Sequence, residues 1–137
     1  RTERRYADFI LKFKVRLVPD EGNSGLQFRS EWLPNGEMYG YQADIGKGWW
    51  GSLYDESTGR NLLVSSYEEK GSKAVRKNDW NDYKLEAIKN KIRITINGVV
   101  TSEYEDKAAR PDGHIAVQVH AGGPLKVEFR DLMIQEK

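Results

Sequence analysis

The sequence predicts an all-β fold, an antiparallel two-sheet sandwich of jelly-roll type. Three observations predict it. Apolar and polar residues alternate with a period of two through most of the chain. Turn signals divide the alternating stretches into about nine or ten short strands. No stretch carries the i, i+3, i+4 apolar spacing of an amphipathic helix.

The strands follow in order. From Asp8 to Val18 the apolar set is Phe9, Leu11, Phe13, Val15 and Leu17, with Lys12, Lys14 and Arg16 between them. That is a half-buried strand with one wet face. Ser24 to Trp32 alternates Leu26 and Phe28 with Gln27, Arg29 and Glu31. Tyr39 to Ile45 places Tyr41, Ala43 and Ile45 on one face, and Gln42 and Asp44 on the other. Short strands are expected at Trp49 to Tyr54 and Asn61 to Ser66. Tyr67 to Asn78 is polar and reads as a loop with room for one helical turn. Asp82 to Lys89 and Lys91 to Asn97 form a hairpin, with Ile92, Ile94 and Ile96 on one face. Asn97-Gly98 is the strongest turn signal, since a type I′ turn needs positive φ at both central residues. Val99 to Tyr104 is the return strand. Asp106 to Asp112 is a polar loop. Gly113 to His120 alternates Ile115, Val117 and Val119 with Ala116, Gln118 and His120, and Lys126 to Gln135 closes the chain.

The 137 residues suit one domain, expected over 1–137. With 38% hydrophobic and 31% charged residues the composition is that of an ordinary globular chain. A formal charge of +1, from 22 basic and 21 acidic residues, speaks against a broad field for nucleic acid or an anionic membrane surface. Without cysteine there are no disulfides and no thiolate chemistry. No apolar run is long enough to span a bilayer. No signal peptide is visible, and a start at Arg1 reads as a processed or trimmed piece.

Each sandwich strand gives one face to the core and one to solvent. Outward residues such as Lys12, Lys14, Arg16, Lys84 and Glu86 are ordinary solvated charges. Three strands differ: their outward residues are Gln27, Arg29, Glu31; Gln42, Asp44; and Gln118, His120. These mixed hydrogen-bonding groups suit hydroxyl recognition. If the three strands share a sheet, rows about 5 Å apart gather them onto a sugar-sized patch. The alternative is that they are merely outward polar residues. Trp49 and Trp50 are adjacent, so in a strand one faces the core and the other the surface, where an aromatic ring can stack on a sugar. Trp32, Tyr39 and Tyr41 are candidates for the same rim, and Trp80 reads as core.

The ordered motifs carry a resemblance. Asn23-Ser24-Gly25-Leu26-Gln27-Phe28-Arg29-Ser30-Glu31, Gly40-Tyr41-Gln42-Ala43-Asp44-Ile45-Gly46 and Trp49-Trp50-Gly51-Ser52-Leu53-Tyr54-Asp55-Glu56 are followed by Asp79-Trp80-Asn81, Asn97-Gly98-Val99, Ile115-Ala116-Val117-Gln118-Val119-His120, Ala121-Gly122-Gly123-Pro124 and Val127-Glu128-Phe129-Arg130-Asp131. This set resembles the 3-keto-disaccharide hydrolase family over nearly the whole chain. The resemblance implies a concanavalin A-like jelly roll, action on glycosides oxidised at C3, and an extracellular or periplasmic location in bacteria that degrade polysaccharides. Two departures stand out. Family members usually carry strands before the position of Tyr6 to Phe9, missing here, which would leave the first strand as an exposed edge. Many members have Glu where this chain has Gln42.

The implied chemistry sets the expected roles. A 3-keto group acidifies the C2 proton, and its loss lets the C1 substituent leave by elimination before water adds back. The site needs a base near C2, an electrophile near the ketone oxygen and an acid near the leaving oxygen. Asp44 or His120 is the candidate base. Arg29 or a bound cation is the enolate stabiliser, and Glu31 is the acid if burial raises its pKa. Gln27, Gln42, Gln118, Trp49, Trp50 and Tyr54 are the candidate sugar contacts. A hard cation such as Ca²⁺ would sit on Asp44, Glu31 and amide oxygens. Three rivals stand beside this reading. An ordinary glycosidase needs paired carboxylates, which the strand bearing Gln42 and Asp44 lacks. A non-catalytic carbohydrate-binding module of the same fold fits the amides and aromatics. A laminin-G-like interaction domain has little positive support.

Overall fold

The structure is a computed structural model; it describes residues 2, 4–19, 24–35, 38–56, 61–107, 110–119 and 126–137, with only the backbone at 56, 61, 118 and 119. The described residues form ten strands: β1 Phe9–Val18, β2 Ser24–Trp32, β3 Met38–Ile45, β4 Leu53–Glu56, β5 Asn61–Val64, β6 Asn81–Ile88, β7 Lys91–Ile96, β8 Val99–Glu105, β9 His114–Val119 and β10 Lys126–Glu136. They form two antiparallel sheets of order β10-β1-β6-β7-β8 and β5-β4-β3-β2-β9. This is the expected sandwich. A π-helical turn at Tyr67–Gly71 and a helical turn at Ser72–Ala74 fill the polar connection between β5 and β6. No helix among the described residues is long and apolar enough to cross a membrane.

The period-two pattern explains the layers. β1 sends Phe9, Leu11, Phe13, Val15 and Leu17 inward, and Ile92, Ile94 and Ile96 of β7 join them. The other sheet answers with Leu26, Phe28, Tyr41, Ala43, Ile45 and Leu53. Phe28 stacks on Tyr41 at 5.2 Å and meets Phe9 of the opposite sheet edge-on at 6.2 Å. Truncating such a ring to Ala costs about 3–5 kcal/mol. At the Asn97-Gly98 turn φ is 49° and 83°, as the hairpin between β7 and β8 requires.

Four details depart from the sequence reading. Trp49 to Gly51 is not strand: glycines 46, 48 and 51 take φ of 135°, 89° and 78°, so the chain turns there and β4 starts at Leu53. Tyr41 is core and lines no rim. Trp80 is not core: it is half-buried, with the guanidinium groups of Arg16 and Arg130 over its ring at 4.8 and 4.3 Å. β1 is no edge, because it pairs with β10 on one side and β6 on the other.

Candidate functional site

β2, β3 and β9 are neighbours in one sheet, as the shared-patch reading needs. Register then decides which side chains meet. One rung across the sheet runs Tyr54, Gln42, Gln27, Ala116, and the next runs Asp44, Gly25, Gln118. Gln27 and Gln42 are directly opposite, so their Cβ atoms lie about 5 Å apart. Gln118 contributes its backbone position to the second rung; His120 lies outside the described residues.

Gln42 is the hinge of this arrangement. Its Nε2 donates to Asp44 Oδ1 at 2.8 Å. Only the amide nitrogen can do so, which turns Oε1 away from the carboxylate. That Oε1 is buried and has no hydrogen bond among the described residues. The side chain reaches Asp44 by lying across Gly25, where a Cβ would approach Gln42 Cγ to 2.8 Å. Gln27, Gln42 and Asp44 are almost withdrawn from water, at 5%, 2% and 2% exposure, although alternation places them on the wet face. A buried carboxylate loses hydration and depends on such hydrogen bonds.

The aromatic wall is beside them. Tyr54 on β4 stands opposite Gln42, and the Trp49 ring meets the Tyr54 ring edge-on at 6.5 Å. Both residues are half-buried, so this side of the patch keeps contact with solvent. Trp50, a candidate sugar contact, is 1% exposed and belongs to the core. Adjacent tryptophans do point apart, but it is the turn that separates them.

Arg29 and Glu31 leave the patch. The β2–β3 register shifts between Phe28 and Glu31, and Arg29 takes φ of 46°. At this bulge the alternation breaks. The Arg29 side chain is fully buried, donating to Ala7 O at 3.0 and 2.9 Å, to Lys89 O at 2.6 Å and to Asp8 Oδ1 at 3.2 Å. Desolvation holds its pKa below the ordinary value, partly countered by Asp8. Glu31 is opposite Tyr39, five residues from Asp44 along β3, which is about 17 Å at strand rise. It bonds Arg5, whose guanidinium also grips Asp112 at 3.1 Å. The Arg5 hydrogen bond holds the Glu31 carboxyl below its usual range. Asp44 and Glu31 therefore share neither a proton-transfer site nor a cation. Among the described residues, no three His, Asp or Glu side chains gather to hold a metal ion.

The backbone of Asp44 is fixed from both sheets. Its carbonyl accepts from Gly51 N–H and from the Tyr83 hydroxyl of β6, both at 3.0 Å, and its N–H donates to Ser52 O at 3.0 Å. Burial raises the Tyr83 pKa well above the ordinary tyrosine value. Sequence reasoning missed Gly25 and Tyr83. Gly25 carried a faint signal, a glycine inside an alternating strand, which often marks a close approach. Tyr83 carried none. Two cavities of about 420 and 450 Å³ lie on the other sheet, lined by residues such as Arg93 and Glu103, and Lys14 and Asp82, away from Asp44.

The family model for the 3-keto-alpha-glucoside-1,2-lyase-like domain matches residues 1–135. No curated protein sequence matches the chain significantly. Among solved structures, the carbohydrate-binding module CBM66 from Bacillus subtilis is similar at a TM-score of 0.74 and 16% identity, over 98% of this chain and 78% of that one. A Parabacteroides distasonis ATCC 8503 protein assigned as a glycosyl hydrolase gives 0.68 and 19%, over 99% and 81%. Sheep galectin-11 gives 0.61 and 10%, over 96% and 95%. At such identities the likeness is one of fold, the jelly-roll sandwich.

Proposed function

Because the chain belongs to the 3-keto-alpha-glucoside-1,2-lyase-like domain family, we propose that it binds 3-keto-glycosides on the face shared by β2, β3 and β4 and cleaves them by elimination and hydration. The observation that carries the reading is Gln42. A buried amide that donates to a carboxylate and keeps a buried acceptor without a hydrogen bond among the described residues is an incomplete polar network. A sugar hydroxyl completes it.

Asp44 takes the C2 proton in this scheme. The C2–H electron pair moves onto the C3 oxygen as an enolate. It returns to form the C1–C2 double bond as the C1–O bond breaks and the alcohol leaves. Water then adds at C1, giving up a proton to the group that protonated the leaving oxygen, while Asp44 returns a proton to C2. Gln42 Nε2 holds the carboxylate in place and Oε1 accepts a hydroxyl. Gln27 offers a second amide, and Trp49 with Tyr54 offers a stacking wall. His120, two residues beyond Gln118 and a candidate base in the sequence reading, is assigned here to protonating the leaving oxygen in place of Glu31. Glu31 and Arg29 have no part in it, because the bulge in β2 carries both away.

The test is turnover of methyl 3-keto-α-glucopyranoside, followed by methanol release. Asp44→Asn is expected to lower the rate by about 100-fold or more, the usual weight of a positioned proton acceptor. Full activity in both Asp44→Asn and His120→Ala overturns the scheme.

A second reading is favoured by a specific feature: Gln27 faces Gln42 where an acid pair would be needed for ordinary glycosidase chemistry. Amides bind sugars and transfer no protons. The fold likeness to a carbohydrate-binding module agrees with that reading. Tight binding without turnover by the unaltered chain decides for it.

A further inference from the structure

We propose that a bulge in β8, at Thr101 and Ser102, positions the sugar site from the opposite sheet; the inference rests on the site reading given above. β8 is paired to β7 through Ile94 with Ser102 and Thr95 with Val100, so Thr101 is the extra residue. In a regular strand, consecutive side chains point to opposite faces. The bulge lets both point inward. Thr101 and Ser102 are each 2% exposed, and both hydroxyls meet one acceptor, the carbonyl of Gly51, at 3.0 and 2.5 Å. Ser66 adds a third hydroxyl at 3.2 Å. Thr101 Oγ1 also lies 3.3 Å from Ile94 O, so its hydrogen is shared.

One donor is enough to satisfy a buried carbonyl. Three donors from two segments, β8 and the stretch at Ser66, over-determine where it sits. Gly51 allows the approach: its φ is 78°, and a Cβ there would fall 2.3 Å from Thr101 Oγ1. The anchored peptide is also the one that shapes the site. Its other end, Ser52 N–H, donates to Trp49 O at 2.9 Å, and Gly51 N–H donates to Asp44 O. The bulge thus fixes the backbone beneath the stacking ring and beneath the carboxylate without touching the sugar. Thr101 and Ser102 are positioning residues.

The test compares the unaltered chain with the double variant Thr101→Val and Ser102→Ala, and with Thr101→Ser. Two readouts are used. One is the Trp49 indole N–H resonance, assigned with Trp49→Phe. The other is the Kd of methyl 3-keto-α-glucopyranoside and of methyl α-glucopyranoside by NMR titration. The double variant is expected to melt cooperatively, to shift or broaden the Trp49 resonance, and to weaken binding about tenfold, the scale of a small misplacement. Thr101→Ser keeps both properties. A folded double variant with an unmoved Trp49 resonance and unchanged Kd overturns the inference. If the double variant does not fold, the single variants are read in the same way. If neither probe binds the unaltered chain, the site reading fails, and the Trp49 resonance alone still decides whether the bulge positions the ring.

Discussion

Gly25 lies directly beneath the Gln42 side chain: a Cβ at position 25 would come within 2.8 Å of both Gln42 Cγ and Nε2. The vacancy lets an amide on β3 lean over β2 and reach Asp44 two residues along its own strand. Gly25→Ala is therefore expected to push Gln42 off the carboxylate. The displaced group is the end of a flexible side chain, so the stability cost stays under about 1.5 kcal/mol. Sugar binding falls much further. Urea unfolding set beside a titration with methyl 3-keto-α-glucopyranoside separates the two effects.

Tyr83 links the sheets through its hydrogen bond to Asp44 O. Tyr83→Phe removes one buried hydrogen bond and is expected to cost about 0.5–1.5 kcal/mol in denaturant unfolding. The pH dependence has a definite sign. Burial raises the folded-state pKa above the ordinary 10.0, while the unfolded chain releases the proton near that value. Above it the folded state binds more protons, so stability falls as pH rises. The Tyr83→Phe variant should show a shallower alkaline loss, and the Tyr83 phenol should resist ionisation at 295 nm where exposed tyrosines titrate.

Arg29 separates a structural role from a binding role. Its buried guanidinium serves Ala7 O, Lys89 O and Asp8. Arg29→Ala leaves those acceptors without it and is expected to cost about 2–4 kcal/mol. Where the variant folds, affinity for the sugar should be unchanged. Weakened binding with normal stability would put Arg29 back among the ligand contacts.

Arg5 ties the N-terminal residues to Glu31 and Asp112, and its hydrogen bonds hold both carboxyls below their ordinary values of 4.5 and 3.8. Depressed folded-state values mean stabilisation that is present above the ordinary range and is lost as pH falls through and below it. The groups are partly exposed, so salt weakens the effect. Carboxyl NMR titration should show both groups returning towards ordinary values in Arg5→Ala.

Alternation made most of the fold legible, because a strand buried on one face must repeat every two residues. β1, β6 and β7 follow it throughout. The errors arose where the backbone breaks that period. At Arg29 a bulge turned one presumed ligand contact into the core and carried Glu31 away from Asp44. Nothing in Phe28-Arg29-Ser30 announces a positive φ. The glycines at 46, 48 and 51 are a turn signal that the strand expected at Trp49 to Tyr54 overrides, and the turn, not strand alternation, gives Trp49 and Trp50 their separate fates. Trp80 was misjudged because two arginines can shelter an indole as an apolar core does. The Gln42–Asp44 pair was legible as two outward residues on one strand. Its support was not: Gly25, Tyr83 and Thr101 come from segments that only the tertiary fold brings near.

The most direct measurement is a titration of the ¹⁵N-labelled chain with methyl 3-keto-α-glucopyranoside, mapped residue by residue. The account predicts saturable shifts at the amides of Gly25, Gln27, Gln42 and Asp44 and at the Trp49 indole. Shifts confined to the sheet of β10, β1, β6, β7 and β8, or no shifts at millimolar sugar, would contradict it.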